Sequence, residues 1–371
     1  MANALDSLTI HGFKSIQSLE NFELKSLNVF IGANGAGKSN LLEVFRLLRS
    51  LMDDTLQRDV LRSGGISAFL HNGPKVTQQL YFEVHSGKLE YSFGLIPSPQ
   101  EQPILIDEMY FDPDSDDGRF PLGDSPDGRS LLKVKATGSP LSPLRSALYN
   151  ALCGLRDYHF HDTSANAGMR LYEIIQDNKE LRQDGSNLAP YLLRLRESTE
   201  AAHALAYQEI LSAARLVMPF FDTFLLDVTA FGEKQKVNLS WRQKGSDYPM
   251  QPYHFSDGSI RFICLATALL QPNPPSTIIL DEPELGLHPS AIALLAELIQ
   301  DASSRTQLIV ATQSPALIDY FGVEDIVVVN RKNGASTFIR LQEKDFTVWL
   351  ESYSVGELWR KNVIAGGPQH E

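Results

Sequence analysis

The stretch from Leu27 to Asn40, LNVFIGANGAGKSN, starts as a compact apolar run, breaks into glycines at Gly32, and passes directly into a polar-to-apolar pattern at Ser39. From Ser39 to Met52 the residues Leu41, Leu42, Val44, Phe45, Leu47, Leu48 and Leu51 recur with a helical period, so strand, loop and helix follow one another. Within it, Gly32-Ala33-Asn34-Gly35-Ala36-Gly37-Lys38-Ser39 fits the G-x-x-x-x-G-K-S phosphate loop in the strand-to-helix setting that the motif requires. The glycines let backbone amides turn inward around phosphates, and the positive end of the following helix favours an anion. Lys38 would reach the β and γ phosphates of a nucleotide, and the Ser39 hydroxyl would ligate magnesium. Asn40 joins this binding set as a residue that caps or packs.

Downstream, residues 254–341 alternate helix and strand through SDGSIRFICLATALL, STIILDEP, SAIALLAELIQDA, QLIVATQ and DIVVVN, which predicts a parallel sheet with helices on its faces. The apolar strand Thr277-Ile278-Ile279-Leu280 delivers Asp281 and Glu282 to its C-terminal end, where open parallel sheets place their ligands. Adjacent acids leave a strand in different directions and can take different tasks. Asp281 would hold magnesium, and Glu282 would orient or deprotonate an attacking water. About 25 residues earlier, Phe255-Ser256-Asp257-Gly258-Ser259 precedes an apolar helix; read alone this is a helix N-cap. Ser256 and the Gly258 amide also form a second helix start able to receive phosphate, and one chain cannot aim both helix ends at one nucleotide. A partner subunit could.

Composition bounds the rest. The 371 residues, 43% apolar and 21% charged, suit one large domain or two to three smaller ones with a sizeable core. Two cysteines, Cys153 and Cys264, cannot build a disulfide framework or a four-cysteine zinc site. The opening MANALDSLTIHGFKS has no basic segment followed by an apolar one, and no run of about 18 apolar residues occurs, so a cytoplasmic chain without a membrane role is expected. The formal charge of -12 opposes non-specific adhesion to nucleic acid, so DNA contact would need a local basic surface. Residues 79–112 alternate in two-residue steps as an antiparallel meander, and 113–130 reads as a long solvated loop. The expected organisation is a strand-rich N-terminal lobe with the phosphate loop over 1–142, a helical insertion over 143–222, a C-terminal lobe over 223–345 and a tail over 346–371. The insertion's Arg170, Arg182, Arg194, Arg196 and Arg215 read as a solvated helix face balanced by Glu197, Glu200 and Glu209, with DNA or a protein as the other reading.

The phosphate loop, the Ser-x-Gly-Ser helix start, Ile-Leu-Asp-Glu-Pro, the Glu284-Leu285-Gly286-Leu287-His288-Pro289 turn and the Ala311-Thr312-Gln313-Ser314-Pro315 strand end occur in order. This resembles the ABC-type ATPases of the SMC and RecF class, particularly the compact AAA-family ATPases of RecF type found in DNA repair and bacterial anti-phage defence. The opening Ile10-His11-Gly12-Phe13-Lys14-Ser15-Ile16, the segment His159-Phe160-His161-Asp162-Thr163 and residues 352–367 share the likeness. The resemblance implies a P-loop α/β head that binds ATP and Mg2+ and forms an ATP-sandwiched homodimer. Ser256, Gly258 and Ser259 then become contacts to the nucleotide of the other copy, and residues 286–289 join the two sites. Hydrolysis would separate the pair, and a separate nuclease or other effector would read the switch, since about 50 residues after the Gln313 strand leave no room for a fused nuclease domain.

The sequence departs from the family pattern twice. Gln313 stands where a switch histidine is usual; its amide can orient water but takes no proton near neutral pH, which implies slow turnover. No glutamine marks the loop that senses γ phosphate and magnesium; His161 or Asp162 is the positional candidate, a buried strand-end histidine being the other reading. Lys14 reads as a solvated strand-end lysine, the other reading being the basic residue that relatives place near the nucleotide, and His288 as a turn-setting residue beside Pro289, with a phosphate contact as its alternative. The alternative function is a non-hydrolysing scaffold held together by ATP, and a transporter's ATPase subunit is the third reading.

Overall fold

The computed structural model describes residues 4–111, 118–132 and 143–364. In chain order the strands are β1 (Ser7–Phe13), β2 (Ile16–Glu23), β3 (Leu27–Ile31), β4 (Leu80–Ser86), β5 (Leu89–Pro97), β6 (Pro103–Phe111), β7 (Arg119–Ser125), β8 (Leu155–Tyr158), β9 (Glu173–Ile174), β10 (Phe221–Leu225), β11 (Thr229–Phe231), β12 (Lys234–Val237), β13 (Ser240–Gln243), β14 (Pro249–Met250), β15 (Thr277–Asp281), β16 (Gln307–Thr312), β17 (Ile326–Lys332) and β18 (Ala335–Arg340). The helices are α1 (Lys38–Met52), α2 (Leu56–Arg62), α3 (Pro143–Cys153), α4 (Leu188–Glu197), α5 (Ala201–Val217), α6 (Asp257–Leu270), α7 (Pro289–Ser303), α8 (Pro315–Ile318), α9 (Glu343–Leu350) and α10 (Val355–Arg360).

A six-stranded sheet in the order β18-β17-β3-β16-β15-β8 forms the centre, parallel except for β18. Its central strands β3, β15 and β16 are mostly apolar and almost wholly buried because both faces are covered there. Alternate side chains go to two cores: Leu27, Val29, Ile31, Ile278 and Leu280 pack with α6 and α7, whereas Phe30, Ile279, Ile309 and Ala311 pack with α1. The second core continues from α1 into the antiparallel sheet β2-β1-β4-β5-β6-β7 through Phe13, Phe82 and Phe93. Helix α1 is therefore clamped between two sheets by Leu41, Val44, Phe45 and Leu48, all essentially unexposed, each side chain of that size contributing about 1.5–3 kcal/mol of burial. That clamp holds the phosphate loop at its N-terminus.

The structure departs from the sequence reading in three places. Of the loop expected over 113–130, residues 113–117 lie outside the described residues, and 119–125 form an edge strand instead, because Phe120 stacks on Tyr110 and Leu122 is buried. Residues 143–158, expected to open the helical insertion, belong to the α/β core: β8 pairs in parallel with β15, and α3 packs against α1. Of the arginines expected on a solvated face, Arg170 turns inward and Arg194 binds the Asn178 and Lys179 carbonyls, whereas Arg182, Arg196 and Arg215 stay exposed while pairing with Asp177, Glu197 and Asp222. The tail is described to residue 364, and α10 closes on α8 where Gly356 N donates to Asp319. Both cysteines are unpaired, and among the described residues no helix is long and apolar enough to cross a membrane.

Candidate nucleotide site

Parallel pairing brings the ends of β3, β16, β15 and β8 to one edge of the central sheet. Ile31 lies beside Thr312 and Asp281 beside Ala311, so Gly32, Gln313 and Glu282 emerge side by side just beyond the last paired residues. On the far side, Leu280 pairs with Tyr158, which carries His159 to His161 to the same edge.

The loop after β3 is built for an external anion. Gly35 and Gly37 have φ of 78° and 115°, and Gly37 precedes α1 without any side-chain cap, leaving the first amides of the helix unfilled by the protein's own side chains. A Cβ on Gly37 would collide with Ser336 Oγ and Ser15 Oγ. Lys38 donates to the carbonyls of Gly32 at 2.7 Å and Ala33 at 3.2 Å, and burial pulls its ammonium below its ordinary range against the pull of Glu282, Asp281 and Glu284. Asn34, Gly35 and Ser39 are exposed, with Ala33 at the rim and Ala36 buried. The Asn40 amide is taken by Ser15 Oγ at 2.6 Å, and Ser336 Oγ bonds Ser15 Oγ and the Ala36 carbonyl. Asn40 therefore braces the loop from behind and does not face a phosphate.

Opposite the loop, β15 ends at Asp281. Burial pushes the Asp281 carboxyl above the usual carboxylate range, opposed by Arg46, whose Nη2 lies 4.0 Å away. Glu282 turns into the left-handed region at φ 44°, its N–H donating to the Ala311 carbonyl at 2.8 Å. For a non-glycine residue that conformation costs about 1–3 kcal/mol and survives only where the surroundings enforce it. Two successive residues of the β16 end hold the acids: the Gln313 amide donates to Glu282 Oε1, and Thr312 Oγ1 donates to Glu284 Oε1 at 2.5 Å. Burial pushes the Glu284 carboxyl up as well, and its Oε2 is buried without a hydrogen-bond partner.

A cleft of about 730 Å³ runs along α1 beside this edge, lined by Arg46, Asp157, His159, His161 and Asp281 among others. Asp157 is 5% exposed and bonds the Arg46 guanidinium at 2.5 Å. Burial opposes its ionisation, but His159 and Arg46 hold its carboxyl below the usual range. His161 is exposed in the cleft with Asp281, which corrects the buried strand-end reading; the ring that turns inward is Phe160 between the two histidines. Asp162 faces solvent and accepts from Ser164 N at 3.0 Å. Lys14 is likewise not a solvated lysine: at φ 48° its ammonium pairs with Glu43 of α1 and lies 4.6 Å from the Phe69 ring centre.

The second helix start differs. Ser256 Oγ accepts from Ser259 N at 3.1 Å and lies 2.7 Å from Ser259 Oγ, both as a cap on α6. Gly258 sits so close to the Gly286 carbonyl that a Cβ would overlap it. Arg261 of α6 donates to the carbonyls of Phe160 at 2.9 Å, His161 at 3.1 Å and Leu285. His288 caps α7, its ring nitrogen accepting from Ser290 N at 3.3 Å, as a turn-setting residue should. Among the described residues no hydrogen bond joins 256–259 to the loop 32–39. Sequence reading missed Arg46, Asp157 and Arg261 and read Arg170 only as part of a charged surface; lone arginines and an aspartate carry no motif, and only packing shows what they hold.

Residues 27–319 match the family described as "AAA domain, putative AbiEii toxin, Type IV TA system". The chain belongs to this family. The DNA replication and repair protein RecF of Renibacterium salmoninarum is 36% identical over 83 residues, which are 22% of this chain and 21% of that protein. The match thus spans about a fifth of that curated relative. Among solved structures, the SmcHead bound to the C-winged helix domain of ScpA superposes with a TM-score of 0.57 at 14% identity, covering 93% of this chain and 99% of that one. The Smc head domain with an extended coiled coil, bound to the C-terminal domain of ScpA derived from Pyrococcus furiosus, gives 0.52 at 15% identity, with 94% and 98% covered. Family and fold make this a P-loop ATPase head of the RecF- and SMC-like ABC type.

Proposed function

We propose that the chain is an ATP-hydrolysing switch whose two copies close around two ATP molecules. The observation that carries the reading is the strand-end triad of Asp281, Glu282 and Gln313 set beside an uncapped helix start. The residues present fit the nucleotide and its metal: the amides of α1 have no side-chain cap, and Asp281 is a half-buried carboxylate whose one ion-pair partner among the described residues is Arg46 at 4.0 Å. Residues 32–39 would cradle the phosphates, with Lys38 exchanging the Gly32 and Ala33 carbonyls for phosphate oxygens. Ser39 and Asp281 would hold magnesium, whose chemistry here is neutralisation of phosphate charge. Glu282 accepts the proton of the attacking water, and its forced backbone sets the direction of that carboxylate. Gln313, already bonded to Glu282, orients the base and cannot itself take a proton, which gives slow turnover. Ser256, Gly258 and Ser259 supply the contact to the other copy's nucleotide, because only the paired state then binds γ phosphate from both sides.

The setting proposed for this switch is DNA repair or anti-phage defence, acting through a separate effector or nuclease. The RecF likeness and the family description support that setting. The test is the mass of purified Glu282→Gln protein with and without Mg-ATP, beside wild-type turnover. Doubling with ATP, together with wild-type hydrolysis that Glu282→Gln lowers by about 10²–10⁴, is the expected result. ATP binding without doubling would defeat the paired-head reading, and doubling without any wild-type hydrolysis would leave an ATP-held scaffold.

A further inference from the structure

The Arg170 side chain is only 6% exposed although it lies between two surface loops. Its guanidinium uses four donor contacts: Nε to the Thr163 carbonyl at 2.8 Å, Nη1 to those of Pro252 at 2.7 Å and Phe255 at 3.0 Å, and Nη2 to Asp257 Oδ1 at 2.9 Å. Phe255 and Asp257 are the residues on either side of Ser256, so one side chain grips the backbone before the serine and the carboxylate after it. Of the two other contacts, Pro252 belongs to the same loop before Ser256, and Thr163 lies two residues beyond His161, which lines the cleft with Asp281. Arg261 already fixes the Phe160 and His161 carbonyls to α6. The serine loop and the strand end beside Asp281 are thus tied by two arginines, one from each side.

From this geometry we infer that Arg170 is a positioning residue for Ser256, holding the serine ready for the other copy's γ phosphate and linking it to the segment beside Asp281 of its own site. The inference rests on the paired-head reading. A planar guanidinium satisfies four acceptors in fixed directions, which an ammonium on a flexible stem does not. Lysine at this position keeps the charge and loses the geometry, which separates positioning from electrostatics.

The experiment compares Glu282→Gln alone with Glu282→Gln carrying Arg170→Lys or Arg170→Ala. It measures fluorescent-ATP affinity at monomer concentrations and the protein concentration at which Mg-ATP drives pairing. Unchanged monomer affinity, with pairing shifted to about tenfold higher concentration for Arg170→Lys and further for Arg170→Ala, is the expected pattern, equivalent to losing one charge-assisted hydrogen bond or more. Pairing at the Glu282→Gln concentration in Arg170→Lys overturns the inference. So does a parallel loss of monomer ATP affinity, which would mark Arg170 as a general fold element. If Arg170→Ala does not fold, Arg170→Lys decides alone. Failure of Glu282→Gln itself to pair defeats the paired-head reading, an outcome seen in the control arm and distinct from either variant result.

Discussion

The N-termini of α1 and α6 are both entered from a loop, yet they treat their free amides in opposite ways. Helix α1 follows Gly37 at φ 115°, with no side-chain cap and no acid in its first turn. Helix α6 follows Ser256 at φ -64°, ψ 159°, whose hydroxyl fills the Ser259 amide, and Asp257 adds a carboxylate to the first turn. A helix start has amides in need of acceptors, so the first end leaves them open to an external acceptor and the second is already served by the protein. An open end has no side-chain cap to displace before an anion can take its amides. A self-capped end must share its serine, and does so only for a strong, well-placed acceptor, which suits a contact made after the nucleotide is seated elsewhere.

Gly37→Ala should break this contrast most. The new Cβ meets Ser336 and Ser15, and φ of 115° is strained for any L side chain, so the loop cannot keep its amides turned inward. Nucleotide affinity measured by fluorescent ATP should fall about a hundredfold, matching a strain of about 3 kcal/mol. Near-normal binding would mean that the left-handed helix entry is not what makes the site.

Ser256→Ala sharpens the contrast from the other side. Loss of the cap should lower stability by about 1 kcal/mol, read as a small drop in melting temperature, while monomer ATP affinity stays unchanged. ATP-driven pairing in the Glu282→Gln background should disappear. A variant that melts earlier but pairs normally would reduce Ser256 to a cap.

The smallest effect concerns the acids facing α1. Burial raises the Glu284 carboxyl above its unfolded range, so its ionisation opposes folding. The associated stability is fully present below about pH 4.3, the ordinary glutamate value, and is lost as pH rises through the higher folded value. Glu284→Gln keeps an acceptor for Thr312 and removes the charge. Thermal melting from pH 4 to 7 should therefore decline less steeply in the variant than in wild type, with the curves diverging toward neutral pH. Parallel curves would show that Glu284 is not ionising against burial.

The central strands were legible because complete burial demands uninterrupted apolar runs, and the loop 32–39 because backbone wrapped on phosphate requires glycine at set spacing. The same logic reached Asp281 and Glu282, which sit where a parallel strand must end. Residues 119–125 were not legible: their Asp, Gly, Pro and Ser content describes a loop, and only stacking of Phe120 on Tyr110 converts them to strand. Nor was the placement of 143–158, since an edge strand of four residues has too short a pattern to reveal that it pairs with β15.

By itself the sequence determined the P-loop architecture, the glycine loop 32–39 and the strand end that carries the two acids, because each is a local demand of backbone geometry or strand burial. Only the tertiary structure decided that Asn40 braces the loop, that His161 shares a cleft with Asp281, that Gln313 holds Glu282, and that Arg170 and Arg261 tie the serine loop to that edge. These juxtapositions join residues far apart in the chain, with directions set by packing, and no spacing rule along the chain encodes them.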